Sequence, residues 1–501
     1  MAHDVIVVGG GTAGCVMASR LSENPDRDVL LVEAGPDYPG VADLPPDIAD
    51  GSGPTFSHDW GFAAEPVEGG RGTRLPRGRL IGGCSATNAA FLFRGWPADY
   101  DAWAAMGNGG WSFAEVLGTI RAIEADADFA DEWHGRSGPV PVTRPVPADL
   151  AELQMAFLDT AVSAGHARVD DHNRPGAVGV GPAPRNVREG RRMSTALTHL
   201  APARGRANLT VRAGTLVDRI ELSGSRATGV RLAGGEILAA DRVVLTAGSY
   251  AGPAILLRSG IGPAADLRAL GLPMVADLPG VGANLIDHPL VAVDLPAATG
   301  SSGPRFQVML SMRTSRAGAD DPPDLHLFPA GPFEVPNSPS GAVFGIVTGL
   351  LSVRSRGSVR LRSRDPLDPP WIDIAHLRDP EDLDRMIEAT LHARRLSRMP
   401  PLADLVLGPE LAPGAAIGDD DRAGLARSIR DRVDTYHHPV GTCAMGPDPA
   451  RGAVVDPRGA VHGIANLWVA DASVMPSIPA ANTNLSTILV AERIAAWLAG
   501  D

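Results

Sequence analysis

The sequence predicts an α/β protein of two domains, one of them discontinuous along the chain, and three observations carry that reading. A strand, a glycine-rich turn, a helix and a second strand follow one another within residues 5–33. Short apolar runs separated by turns recur between about 194 and 289, and from 291 to 435 proline-rich, alternating segments suggest a mixed or antiparallel sheet with helices. With 501 residues, 44% hydrophobic and 21% charged, the chain can bury a sizeable core and is too weakly charged for general disorder.

The first unit is the most specific. Val5-Ile6-Val7-Val8 reads as a buried parallel strand, Gly9-x-Gly11-x-x-Gly14 as the turn, Cys15 to Leu21 as helical, and Val29 to Val32 as a second strand ending in Glu33. Together they form a Rossmann-like dinucleotide-binding unit. Gly9 permits the tight turn, Gly11 lets a pyrophosphate approach the backbone, and Gly14 lets the helix pack on the strand. The helix start, with Thr12 and Ala13, offers amide donors to phosphate. Glu33, 19 residues after Gly14 and followed by Ala34, would accept ribose hydroxyls and repel a 2′-phosphate, favouring FAD or NAD over NADP.

Composition excludes several chemistries. The formal charge of −13 gives no global attraction for phosphate backbones, so no nucleic-acid partner is expected. All 45 basic residues are arginine, which removes a Walker A lysine and Schiff-base catalysis. Cys15, Cys84 and Cys443 are too few and too far apart for a disulfide framework or a C-x-x-C pair. With no basic n-region at Met-Ala-His-Asp and no continuous apolar run of membrane length, the expected location is the cytoplasm.

Further along, Arg77-Gly78-Arg79-Leu80-Ile81-Gly82-Gly83-Cys84-Ser85-Ala86-Thr87-Asn88, followed by Phe93-Arg94-Gly95, resembles the first signature of the glucose–methanol–choline (GMC) oxidoreductases. Thr246-Ala247-Gly248 through Gly262 resembles the second, and Pro279 to Pro289 continues the likeness. The resemblance implies FAD, with Arg79, Gly83, Ser85, Asn88, Ala89, Val217 and Ala247 added to the cofactor site. Some relatives attach the flavin through a histidine just before the asparagine; Thr87 stands there, so non-covalent FAD is expected. His288 reads as a structural histidine, and Cys84 as a small residue rather than a nucleophile.

The catalytic expectation also comes from the resemblance. Tyr436-His437-His438-Pro439-Val440-Gly441-Thr442 aligns His438 with the family's catalytic histidine, and Ala481-Asn482-Thr483-Asn484 places Asn482 at the second catalytic position. Asp471, Ala472, Asn484 and Leu485 join the cofactor site, the last two at the start of a helix aimed at the flavin. An imidazole can take the hydroxyl proton of an alcohol near neutral pH while a carboxamide orients it, and hydride then passes to flavin N5. The implied enzyme is an alcohol oxidase or dehydrogenase for a small-molecule alcohol, with oxygen or another acceptor. The alternative is a non-redox member such as a hydroxynitrile lyase or photodecarboxylase. No metal is expected beside the adjacent histidines, because no third or fourth ligand accompanies them. Residues 1–150, 191–290 and 455–501 are assigned to the FAD domain, 151–190 and 291–454 to the substrate domain. The identity of the alcohol and the oligomeric state are left open.

Overall fold

The computed structural model of the chain describes residues 2–66, 72–300, 304–336 and 338–500. The N-terminal apolar run forms β1 (His3–Val8), which pairs in parallel with β2 (Val29–Val32) on one side and with the strand Ile237–Leu245 on the other. β2 pairs onward with Leu209–Arg212, and Val243 to Leu245 pair in parallel with Leu467–Val469. Val5 to Val8 and Val29 to Val32 are buried throughout, as a strand covered on both faces requires. The register sets Val8 opposite both Val32 and Leu245, and Leu245 opposite Val469, so the carboxyl ends of these strands lie at one level.

Ile237–Leu245 starts earlier than its apolar run suggests because its two halves serve different partners. Ile237 to Ala239 pair antiparallel with Arg226–Leu232, which continues to Val217–Ser223. Between β1 and β2 runs α1 (Thr12–Leu21), which begins directly at the glycine turn. Two further helices shape the site: α2 (Gly248–Arg258), after Leu245, and α3 (Thr483–Gly500), which is tied to α1 by an ion pair from Arg20 to Glu492 at 2.7 Å.

The second sheet is antiparallel, in the order Asp434–Thr435, Pro289–Ala297, Ala342–Leu350, Leu325–Glu334, Val308–Met312, Gly179–Pro182. Its side chains alternate with period two. Val293, Leu310, Leu327, Phe344 and Ile346 enter the main core, which also holds Phe157 and Met386 from the helices Glu152–Ser163 and Pro380–Ser397. Met309, Phe328 and Ala330 fall in a separate cluster with Phe91, Phe93 and Tyr436. Leu325–Glu334 runs through Pro329 and Pro332, well past Phe328; Pro329 stays in register opposite Ile346, while Pro332 falls in a register irregularity between Ala330 and Phe333 that accommodates its lost donor. Asp379 caps Pro380–Ser397 by accepting the Glu381 N–H at 2.9 Å, as its position before the proline predicts.

The chain is therefore a mixed α/β protein. Strands of the first sheet come from 3–32, 209–245 and 467–469; those of the second come from 179–182, 289–350 and 434–435. Among the described residues no helix is long and apolar enough to cross a membrane.

Candidate active site

The carboxyl ends of the parallel strands open onto a cavity of about 590 Å³, the position where open α/β sheets take ligands. Gly9, Gly11, Thr12 and Ala13 reach it after β1, Glu33 and Ala34 after β2, Thr246 and Ala247 after Leu245, and Asp471 and Ala472 after Val469. Val217 lines it at the start of the antiparallel extension. Over this floor lies the second glycine loop, whose Gly82 N–H donates to the Gly10 carbonyl at 2.7 Å. Gly83, with φ of +50°, comes so close that a Cβ there would sit 2.6 Å from the Gly11 Cα; Gly83, Thr87, Asn88 and Ala89 line the cavity beyond it.

Four of the expected cofactor residues stand behind the wall and do not line it. A Cβ on Gly14 would fall 1.8 Å from the Gly9 carbonyl oxygen, so this position serves helix packing alone. The Ser85 hydroxyl is buried against the Gly82 carbonyl at 2.6 Å and Thr195 at 3.0 Å. The Arg79 guanidinium lies over the Trp60 ring at 4.9 Å, and Leu485 is buried in the core. These four lie next to the residues that do line the cavity.

Two carboxylates mark this wall. Glu33 accepts the N–H groups of Gly10 and Gly35, each at 2.7 Å. Burial raises its pKa while those amides oppose the rise. Asp471 accepts the Gly248 N–H at the start of α2 at 2.7 Å, and the Ser473 N–H and hydroxyl at 2.8 and 2.6 Å.

His438 and Asn482, 44 residues apart in sequence, meet at the cavity with Nε2 and Nδ2 3.1 Å apart. The histidine is aimed by Asp287, which accepts the His438 N–H at 2.7 Å and the Thr435 hydroxyl. Thr435 Oγ1 in turn accepts the His437 N–H at 2.8 Å. His437 occupies the left-handed region at φ +66°, and its carbonyl accepts Arg77 Nη2 at 3.0 Å, so the chain turns here before Pro439. Ser249 Oγ holds the Pro439 carbonyl at 2.6 Å. Asn482 lies immediately before α3, whose first turn brings Thr483, Asn484 and Thr487 to the cavity. Asn482 Oδ1 and Asn484 Nδ2 are buried without a protein partner.

Burial, then the neighbouring His288, pushes the His438 pKa well below the usual imidazole value, so the ring is neutral at pH 7. Burial also pulls His437 and His288 down to about 4. Burial would raise Asp287, but His376, Thr435 and His438 outweigh it and hold this carboxyl well below the carboxylate range. The Nδ1 of His288 lies 3.0 Å from His438 Nδ1.

Sequence reasoning missed the far wall. Phe91 meets Phe306 and Phe328 edge to face and Phe306 tilts on Phe328, with centroids 6.1–6.3 Å apart, and Tyr436 stacks on Phe328 at 5.9 Å and tilts against His438 at 4.5 Å. Leu290 and Val347 complete this side. The alternation in Leu325–Glu334 sets Phe328 opposite Leu327, yet nothing in the sequence tells which face meets the cavity. Although aromatic residues make up only 5% of the chain, Phe91, Phe306, Phe328 and Tyr436 gather on this side of the cavity.

Comparison with known proteins follows the same lines. Profiles of the GMC oxidoreductase family match residues 3–290 and 353–491. The chain is 38% identical to a 5-(hydroxymethyl)furfural oxidase from Methylovorus sp. (strain MP688), covering 98% of each chain. It is 36% identical to an oxygen-dependent choline dehydrogenase from Paraburkholderia phymatum, covering 99% of this chain and 92% of the relative. Among solved structures, pyridoxine 4-oxidase from Mesorbium loti superposes with a TM-score of 0.92 at 34% identity, over 100% of this chain and 99% of the other. The strand ends, the glycine loops and the histidine–asparagine pair thus stand in a framework shared along the whole length, and the chain belongs to the GMC oxidoreductase family, FAD-dependent enzymes acting on CH–OH donors.

Proposed function

We propose that this chain oxidises a neutral alcohol to an aldehyde or ketone, with His438 as the base and Asn482 as the group that orients the hydroxyl. The observation that carries the reading is the contact of Nε2 with the Asn482 amide at 3.1 Å on the cavity wall, with the imidazole held neutral. A neutral Nε2 takes the hydroxyl proton as the C–H bond weakens, and general-base assistance of this kind contributes roughly 10²–10⁴-fold. The Asn482 amide cannot ionise, so it directs the oxygen and stabilises developing negative charge without competing for the proton.

The lining fits FAD. Gly9, Gly11 and Gly83 line the cavity at the α1 N-terminus, where Thr12 and Ala13 would face phosphate, and Glu33 with Ala34 stands where ribose hydroxyls are expected. Asn88, Ala89, Val217, Ala247, Asp471, Ala472 and Asn484 hold the remainder, and the buried, unpartnered Asn484 Nδ2 has a donor to spend on it. When bound, FAD supplies the hydride acceptor. Thr87 lines the cavity with a hydroxyl and no ring nitrogen, which supports non-covalent attachment. The cysteines, all unpaired, suit a reducing cytoplasm. The separate sequence origins of the two sheets support an FAD domain of 1–150, 191–290 and 455–501 beside a substrate domain.

The test is anaerobic mixing with 5-(hydroxymethyl)furfural, benzyl alcohol and a series of aliphatic primary alcohols. Bleaching of the flavin by at least one of them is expected. A flavin that stays oxidised in all of them removes alcohol oxidation and leaves a non-redox reaction. Readmitting air then separates an oxidase from an enzyme that needs another acceptor.

A further inference from the structure

We infer that His288 is a positioning residue: by accepting the Nδ1 proton of His438 it holds that ring in the tautomer whose Nε2 carries the free lone pair. The inference rests on the role of His438 just proposed. Its own footing is the Nδ1–Nδ1 distance of 3.0 Å between two buried imidazoles lying at 88° to one another.

Two nitrogens that close need one proton between them, and the surroundings decide which ring carries it. Were it on His288, His438 would bear its own proton on Nε2, setting two donors face to face at the Asn482 amide 3.1 Å away. With the proton on His438 Nδ1, Nε2 accepts from Asn482 while His288 Nδ1 accepts from His438. The second arrangement satisfies more groups. It also leaves the cavity-facing nitrogen basic.

The remaining charged and titratable neighbours do not supply this service. Asp287 is engaged with the His438 backbone N–H and Thr435, with His376 Nε2 3.7 Å from its Oδ2. The Arg77 guanidinium holds the His437 carbonyl. Tyr436 lies ring against ring with both histidines, and His326 meets the Tyr436 hydroxyl at 3.5 Å. When Nε2 takes the hydroxyl proton, the hydride leaves with the C–H electron pair for FAD, and the new imidazolium keeps its Nδ1 proton, whose bond to neutral His288 strengthens.

The experiment uses the FAD-loaded enzyme with His288→Leu, which removes the acceptor, and His288→Asn, whose carbonyl oxygen falls near the lost Nδ1. Spectra of ¹⁵N-histidine-labelled protein, assigned with His438→Gln, report which nitrogen of His438 carries the proton. Anaerobic reduction by 5-(hydroxymethyl)furfural reports the rate and its pH profile. The expected wild-type proton is on Nδ1, and in His288→Leu it redistributes toward Nε2. Flavin reduction then falls about 100-fold or more at unchanged FAD content and with an altered pH profile, and His288→Asn recovers it to within about tenfold. A wild-type proton on Nε2 overturns the inference, as does a leucine variant with unaltered spectrum, rate and pH profile. If the leucine variant loses FAD, the asparagine variant decides: Nδ1 protonation kept sustains the inference, and its loss overturns it. Should no alcohol reduce the wild-type flavin, the role of His438 fails while the spectra still settle the tautomer.

Discussion

Choline and 3,3-dimethylbutan-1-ol have nearly the same shape and differ by one full positive charge, so the pair isolates what the far wall does with a cation. Three rings and Tyr436 offer π faces, and a desolvated cation–π contact is worth up to about 2 kcal/mol. The rings, however, pack on one another at 6.1–6.3 Å, Phe91 edge to face with the other two and Phe306 tilted on Phe328, forming a wall rather than an open cage. The other side chains this sheet adds to the cavity, Leu290, Ala330 and Val347, are uncharged, and the carboxylate beside His438, Asp287, has both oxygens engaged. Taking an ammonium out of water without a partner costs on the order of 5 kcal/mol after relaxation. The difference is about 3 kcal/mol, or roughly 100-fold in kcat/KM in favour of the neutral alcohol. Anaerobic flavin reduction by each compound at high ionic strength, where the net charge of −13 no longer gathers cations, measures the ratio directly. Choline reacting as well as its carbon analogue would refute the reasoning, and the aromatic wall would have to be reread as a cation site.

Replacing His438 by alanine should keep FAD and slow alcohol-driven reduction by about 10³-fold or more, whereas Asn482→Ala should impair reduction more than FAD retention; near-normal reduction in either removes the assigned role. Because the His438 pKa is depressed, the acid limb of kcat/KM should lie well below pH 6.5, with the base disabled as pH falls through it; a limb at or above 6.5 contradicts this. Burial holds His288, His437 and His172 near 4, so the unfolded chain binds more protons between 6.5 and 4; stability present above 6.5 should fall across that window by up to roughly 3 kcal/mol per histidine. A urea midpoint that stays flat from pH 6.5 to 4 is the opposing result. Gly83→Ala puts a methyl group against Gly11 in a left-handed conformation, and the purified protein should carry markedly less FAD than wild type; full flavin content would mean the loop can shift freely.

Much of the first sheet and its ligand-facing ends was legible because local chemistry dictates it. Val5–Val8 and Val29–Val32 can only be strands covered on both faces, and the glycines between them fit one kind of turn. The helix Pro380–Ser397 announced itself through a capping aspartate and a proline. What was not legible depends on contacts far apart in sequence. The early start of Ile237–Leu245 comes from switching partners midway, and the passage of Leu325–Glu334 through Pro332 relies on an irregular register. Ser85, Arg79 and Leu485 sit within motifs whose other members line the cavity, and motif membership does not say which side chains turn inward. That residue 288 and residue 438 face one another, with Nδ1 atoms 3.0 Å apart, is likewise a contact no sequence pattern reveals.

The wall that receives the cofactor begins at residue 9 and the amide paired with His438 comes at residue 482, so both ends of the polypeptide are needed in one place. A ribosome still making this protein therefore exposes the glycine cradle long before the α3 segment exists to close over it. Until then the nascent chain holds only part of the cavity wall.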